Sequence, residues 1–230
     1  MNANLLLFGV YPYIAGTVFL VGSLIRYDRE QYTWTSYSTQ LLGSRRSLTW
    51  GSNLWHIGVL FIFVGHFVGL LTPAFQWLRV PPVTHQWIAA SAGVTFGLLA
   101  LAGGLVLLVR RLGNSRVRAA AHPTDLFILV WLLATLGLGL ATQFVTVPNL
   151  LAGHVADMEI LSRYLKGIVT LQPHPGLLAH VPWIYRLHLL FGMTLFLVFP
   201  FTRLVHIWTV PVNYLWRAYQ LVRARTGVGG

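Results

Sequence analysis

Polar positions in this chain are confined to short stretches. Between them apolar residues run together, without the alternation of a half-buried strand or the single stripe of a soluble helix. Charge-free runs cover Met1–Ile25, Ser47–Leu78, Val80–Val109 and Leu126–Ala156. A fifth, Leu187–Thr202, must continue past Arg186 and Arg203 to reach full length. An α-helix crosses a ~30 Å hydrocarbon core with about 20 apolar residues. The runs therefore predict five spans, over 5–25, 50–72, 87–109, 125–147 and 183–208. Helix breakers punctuate them: Pro73 after the second, Pro81 and Pro82 before the third, Pro123 before the fourth, and Pro148 and Pro182 flanking the next connection. No Lys or Arg precedes the first run, so it is expected to remain as a span rather than be cleaved as a signal.

Composition sharpens this into a class. Charged residues make up 9% of the 230 and hydrophobic ones 56%, which excludes both a small soluble globule and a disordered chain. The absence of Cys excludes disulfides, thiolate iron–sulfur ligation and Cys-type zinc sites. A net charge of +11 invites a nucleic-acid reading. The basic residues, however, are scattered between apolar runs, as topology charges are. Lys and Arg number four in 26–49, one in 73–86, four in 110–124, two in 148–182 and four from Arg203 onward. That alternation predicts an N-terminus outside and a cytoplasmic C-terminus. Trp34, Trp50, Trp77, Trp87, Trp183 and Trp208 fall near the boundaries, as an aromatic belt does. The expected architecture is an all-α integral membrane bundle of five transmembrane helices, one domain over 1–230, with a cytoplasmic tail at 211–230.

Nine His are present. His85, His122, His154, His174 and His180 fall in loops or at helix ends, where a solvated side chain is the ordinary state. His56 and His66 lie inside span 2, and His188 and His206 inside span 5. A polar side chain at membrane depth is costly and marks function by default. One such His is readily explained by an interhelical hydrogen bond, whereas four on two helices favour ligation. Span 2 enters from the cytoplasm and span 5 returns to it. Depth therefore pairs His56 with His206 near the inside and His66 with His188 towards the outside. Facing pairs suit bis-imidazole haem b. The axial spacings, about 15 Å and about 27 Å on ideal helices, differ by about 12 Å, which a bend at Pro200 can absorb. Gly58, Gly65 and Gly69 beside the span 2 histidines, and Gly192 after His188, leave flat space for a macrocycle. Gly65-xxx-Gly69 and Gly93-xxx-Gly97 equally match helix-packing motifs. Arg203, three residues before His206, is a candidate for haem propionates. Arg111, with Arg110 beside it, either serves the inner haem or marks topology.

Ordered motifs along the chain resemble a known family, the cytochrome b (gamma) subunit of membrane-bound respiratory nitrate reductase. They are Tyr11-Pro-Tyr-Ile-Ala-Gly16, Leu24-Ile-Arg-Tyr-Asp28, Ser52-Asn-Leu-Trp-His-Ile-Gly58, Gly65-His-Phe67, Leu71-Thr-Pro73, Tyr185-Arg-Leu-His188, the stretch from Phe199 to Trp208, and Tyr219-Gln-Leu-Val-Arg-Ala-Arg225. The resemblance implies two b haems on His56, His66, His188 and His206. It also implies oxidation of membrane quinol near the outer haem, at Gly65 and His66 and at a lysine before span 3. That lysine position is His85 here, which keeps a hydrogen-bonding group and gives up a permanent charge. The resemblance further implies an iron–sulfur subunit and a molybdenum catalytic subunit as partners, the cytoplasmic membrane of a prokaryote, and a place in anaerobic respiration and nitrate assimilation. Nitrate itself rests wholly on the resemblance. Other readings are a related dihaem b subunit serving another reductase, a proton-coupled transporter with a His relay, and a plain anchor. The tail carries Tyr214, Trp216 and Tyr219 among Arg217, Arg223 and Arg225, a composition suited to docking the iron–sulfur partner.

Overall fold

The computed structural model describes residues 3–34, 39 and 41–209. Among the described residues five helices are long and apolar enough to cross a membrane: α1 (Ala3–Glu30), α2 (Arg45–Leu71), α3 (Pro82–Gly113), α4 (Pro123–Leu151) and a last span, Trp183–Phe201. No strand occurs among the described residues. Mid-span Leu20, Leu60, Leu98 and Val130 are exposed, the outward apolar surface of a bundle that faces lipid. Trp50, Trp77, Trp87, Trp183 and Trp208 are exposed at span ends.

The helix ends follow local chemistry. Ser44 caps α2, accepting from the Ser47 amide at 3.4 Å. Pro82 opens α3, where its missing donor costs nothing. His122 caps α4 and Asp125 closes the capping box behind it. Pro148 does not end α4 as expected; it sits within the final segment, Gln143–Leu151, after a turn at Thr142.

Two larger differences concern the second half of the chain. The stretch 148–182 is not a plain connection, because Ala156–Val169 forms a further helix, α5. Tyr164, fully buried, donates to the Phe8 carbonyl at 2.8 Å, and Tyr13 donates to Ile168 O at 3.3 Å, so α5 is bolted to α1. Burial raises the Tyr164 hydroxyl above its ordinary range and keeps it a donor. The opposite face of α5 rests on the end of α2, where Ser162 Oγ donates to Leu70 O at 2.7 Å. The second difference is the fifth span. Its α-helix, α6, is Trp183–Val198 and stops ten residues short of the expected end. Pro200 lacks the amide that would continue the ladder, and its ring opposes the carbonyl four residues earlier. Phe199–Phe201 is a single 3₁₀ turn, Thr202 is extended, and Arg203–Thr209 is a second 3₁₀ segment carrying His206. The ideal-helix rise between His188 and His206, on which the 12 Å mismatch rests, therefore does not apply.

Packing runs from α2 onto α3, α3 onto α4, α4 onto α6, and α6 onto α1. The α2–α3 seam is the closest, because a Cβ at Gly103 would stand 2.4 Å from the Trp55 amide nitrogen and one at Gly58 would stand 2.6 Å from Ala100 N. Gly58 thus serves helix packing and not a macrocycle beside His56. Gly97 is likewise a packing glycine, pressed against Leu140.

Candidate functional site

The two histidine-bearing spans, α2 and the fifth, meet through side chains. The His56 and His206 rings have centroids 6.4 Å apart at 78°, and those of His66 and His188 are 6.1 Å apart at 44°. Two imidazole–metal bonds of about 2 Å each, plus the distance from ring nitrogen to ring centre on both sides, come to about the same separation. Every one of the four rings has its Nδ1 against a backbone carbonyl. His56 reaches Ser52 O at 2.7 Å, His66 reaches Ile62 O at 2.8 Å, His188 reaches Thr135 O at 3.0 Å, and His206 reaches Arg203 O. A carbonyl oxygen only accepts, so Nδ1 carries the proton in each ring and Nε2 keeps its lone pair. This is how a ligating histidine is held, with the other nitrogen oriented by a hydrogen bond. Among the described residues the candidate ligands form pairs rather than clusters of three or more. Two opposed imidazoles suit an iron whose remaining positions are filled by a porphyrin. The residues present fit that group.

The arginines separate into two roles. Arg110 is buried and donates to Thr39 Oγ1 at 2.9 Å and Thr39 O at 2.8 Å. Arg111 donates to Asp125 O at 2.7 Å, and Arg203 lies 3.7 Å from the Asp125 carboxylate. Arg111 and Arg203 therefore converge on Asp125, one on its main-chain carbonyl and the other on its carboxylate, and Arg203 is three residues from His206. Gly65 and Gly192 would meet no neighbour on gaining a Cβ, which leaves both backbones open to a flat ligand. Gly69 faces His85, whose Nε2 lies 3.4 Å from its would-be Cβ. His85 stacks on Phe75 (3.8 Å, 19°), and its buried Nε2 has no hydrogen-bond partner.

Sequence reasoning missed three features. Gly139 lies against His188, with 2.9 Å between a would-be Cβ and the ring Cε1. Thr135 orients that same ring from α4. A π-helical turn, Phe67–Leu71, follows His66 directly, a rare form associated with functional sites. Only tertiary contacts reveal them, since no local spacing marks Gly139 or Thr135.

The nitrate reductase gamma subunit family model matches residues 4–225. The chain belongs to that family. It is 49% identical over 228 residues to the respiratory nitrate reductase 1 gamma chain of Escherichia coli, covering 96% of this chain and 98% of that one. It is 32% identical to the nitrate reductase gamma chain of Bacillus subtilis, with coverage of 96% and 98%. A more distant relative, at 23% over 80% of this chain, is an Hdr-like menaquinol oxidoreductase cytochrome b-like subunit of Archaeoglobus profundus. As a gamma-family member with five apolar spans, the protein is a multi-pass membrane protein. Within this gamma subunit the Leu24–Asp28 motif also gains a physical role. Arg26 donates to Pro200 O at 2.6 Å and Thr202 O at 3.0 Å, capturing the carbonyls that the break after α6 sets free. The proposed docking tail, 211–230, lies outside the described residues.

Proposed function

We propose that this chain is the dihaem cytochrome b subunit of a respiratory nitrate reductase in a prokaryotic cytoplasmic membrane. It oxidises membrane quinol on the outer side and delivers electrons to an iron–sulfur subunit, which serves a molybdenum subunit that reduces nitrate. The observation that carries this reading is the set of four imidazoles in two close pairs, each with Nδ1 bonded to a backbone carbonyl and Nε2 left with its lone pair. A proton relay gives no reason for all four rings to share that tautomer, and an anchor gives no reason for the rings at all. When bound, two b haems supply one-electron carriers in series across the core.

His66 and His188 would hold the outer haem, and His56 and His206 the inner one. Arg203 and Arg111 would hold propionates at the inner end. Gly65, His66 and His85 border the quinol site. There the unpartnered Nε2 of His85 accepts a hydrogen bond from a quinol hydroxyl, and Phe75 keeps the imidazole oriented by stacking on it. Protons released there leave outward while electrons go inward. Each charge so separated works against about 2.3 kcal/mol per 100 mV of membrane potential. The 49% identity to a gamma chain named as respiratory supports nitrate as the terminal acceptor and respiration, rather than nitrate assimilation, as the setting. The test is the purified complex, with haem quantified per gamma chain and nitrite formation followed with a quinol donor. Two b haems per chain and quinol-dependent nitrite are expected. A haem-free chain, or a complex inert towards nitrate, would overturn the reading.

A further inference from the structure

The resemblance implies a lysine where this chain has His85, so the permanent cation of the quinol site is missing from the start of α3. The fold offers a replacement from another element. The face of α5 that rests on the π turn Phe67–Leu71 carries Ser162, and Lys166 follows one helical turn later on that same face. Buried Tyr164 and partly buried Ile168, on the other face, fasten α5 to α1. Lys166 is half-buried, and its ammonium meets no carboxylate among the described residues, where Arg203–Asp125 is the ion pair found. The face of α5 that bears Lys166 rests on the same π turn that His85 meets from the start of α3. His85 in turn packs against Gly69 in the π turn, beside His66. A cation and an unpartnered imidazole nitrogen thus address one short stretch of chain from two sides.

We propose that Lys166 is the cationic member of the quinol site, so that α5 and the start of α3 together recognise a quinol headgroup. His85 Nε2 accepts from one hydroxyl, and the Lys166 ammonium donates to an oxygen of the same ring and favours its partial negative charge. The proposal rests on the quinol-site reading above. It also gives α5 a task beyond packing, since an aliphatic residue at 166 would serve the helix equally well.

The experiment uses the intact complex, with a short-chain naphthoquinol as donor and a hydroxyquinoline N-oxide as quinol-site ligand. Lys166→Ala should weaken ligand binding and raise the quinol KM by about tenfold, equivalent to about 1.4 kcal/mol. Haem content should stay unchanged. Lys166→Arg should retain most of the affinity. Adding His85→Lys to Lys166→Ala should restore it by moving the cation back to α3. Unchanged affinity in Lys166→Ala, with His85→Ala still weakening binding, would overturn the Lys166 proposal and leave the quinol site standing. Unchanged affinity in Lys166→Ala, His85→Ala and Gly65→Leu alike would remove the site itself. Weakening that neither Lys166→Arg nor the added His85→Lys relieves would reduce Lys166 to a packing residue.

Discussion

The inner and outer histidine pairs reach nearly equal ring separations, 6.4 and 6.1 Å, by different means. His188 stands on a regular helix, α6, and its ring is fixed by packing and by α4: Gly139 lies under it and Thr135 O accepts from it. Trp131 of α4 reinforces this, stacking on Phe191 at 4.4 Å and donating to its carbonyl. His206 stands on a 3₁₀ segment beyond a broken helix, held by packing of Val205 and Trp208 and by polar contacts as well. Arg26 holds the carbonyls at the break, and the Arg111–Asp125–Arg203 group borders it. The outer pair is thus sensitive mainly to volume, whereas the inner pair depends also on charged hydrogen bonds.

The comparison breaks most severely at Gly139. Gly139→Val puts side-chain atoms into the His188 ring, and overpacking of this kind costs about 1–3 kcal/mol. The expected outcome is loss of the outer haem with the inner one kept, read by haem quantification and low-temperature absorption. Arg26→Ala acts on the other side, more gently. It releases two charge-assisted hydrogen bonds at a half-buried site, where water can take over part of what the carbonyls lose. Inner haem content should fall several-fold while the outer signal persists. The smallest effect belongs to Arg203→Gln. Both haems should remain, but removing a cation beside the inner pair disfavours the added electron, so a redox titration should show only the inner midpoint potential lowered.

These residues also mark the limit of what the amino-acid pattern discloses. The five spans are legible because water-free hydrocarbon demands long charge-free runs, and the four histidines stand out against them. Their pairing is legible too, since antiparallel spans match depth with depth. The end of α6 is only half legible: Pro200 marks a fault, but its depth depends on Arg26, 174 residues earlier, which binds the freed carbonyls. Helix α5 escapes a search for spans because Asp157, Glu159, Arg163 and Lys166 interrupt its apolar positions. Its signal was a soluble-type period, with Ile160, Tyr164 and Ile168 recurring every fourth residue. Gly58 misled for a related reason: glycines beside a histidine look alike in sequence, and only the neighbour, α3 or a flat ligand, separates their roles.

The central claim is that α2 and the fifth span hold two haems by like-depth histidine pairs, and the most direct measurement is the set of four single His→Ala variants, each examined by reduced-minus-oxidised absorption and electron paramagnetic resonance. The account predicts that His56→Ala and His206→Ala abolish one and the same haem signal, and that His66→Ala and His188→Ala abolish the other. Loss of a shared signal in His66→Ala and His206→Ala, with His188→Ala removing the second, would contradict it.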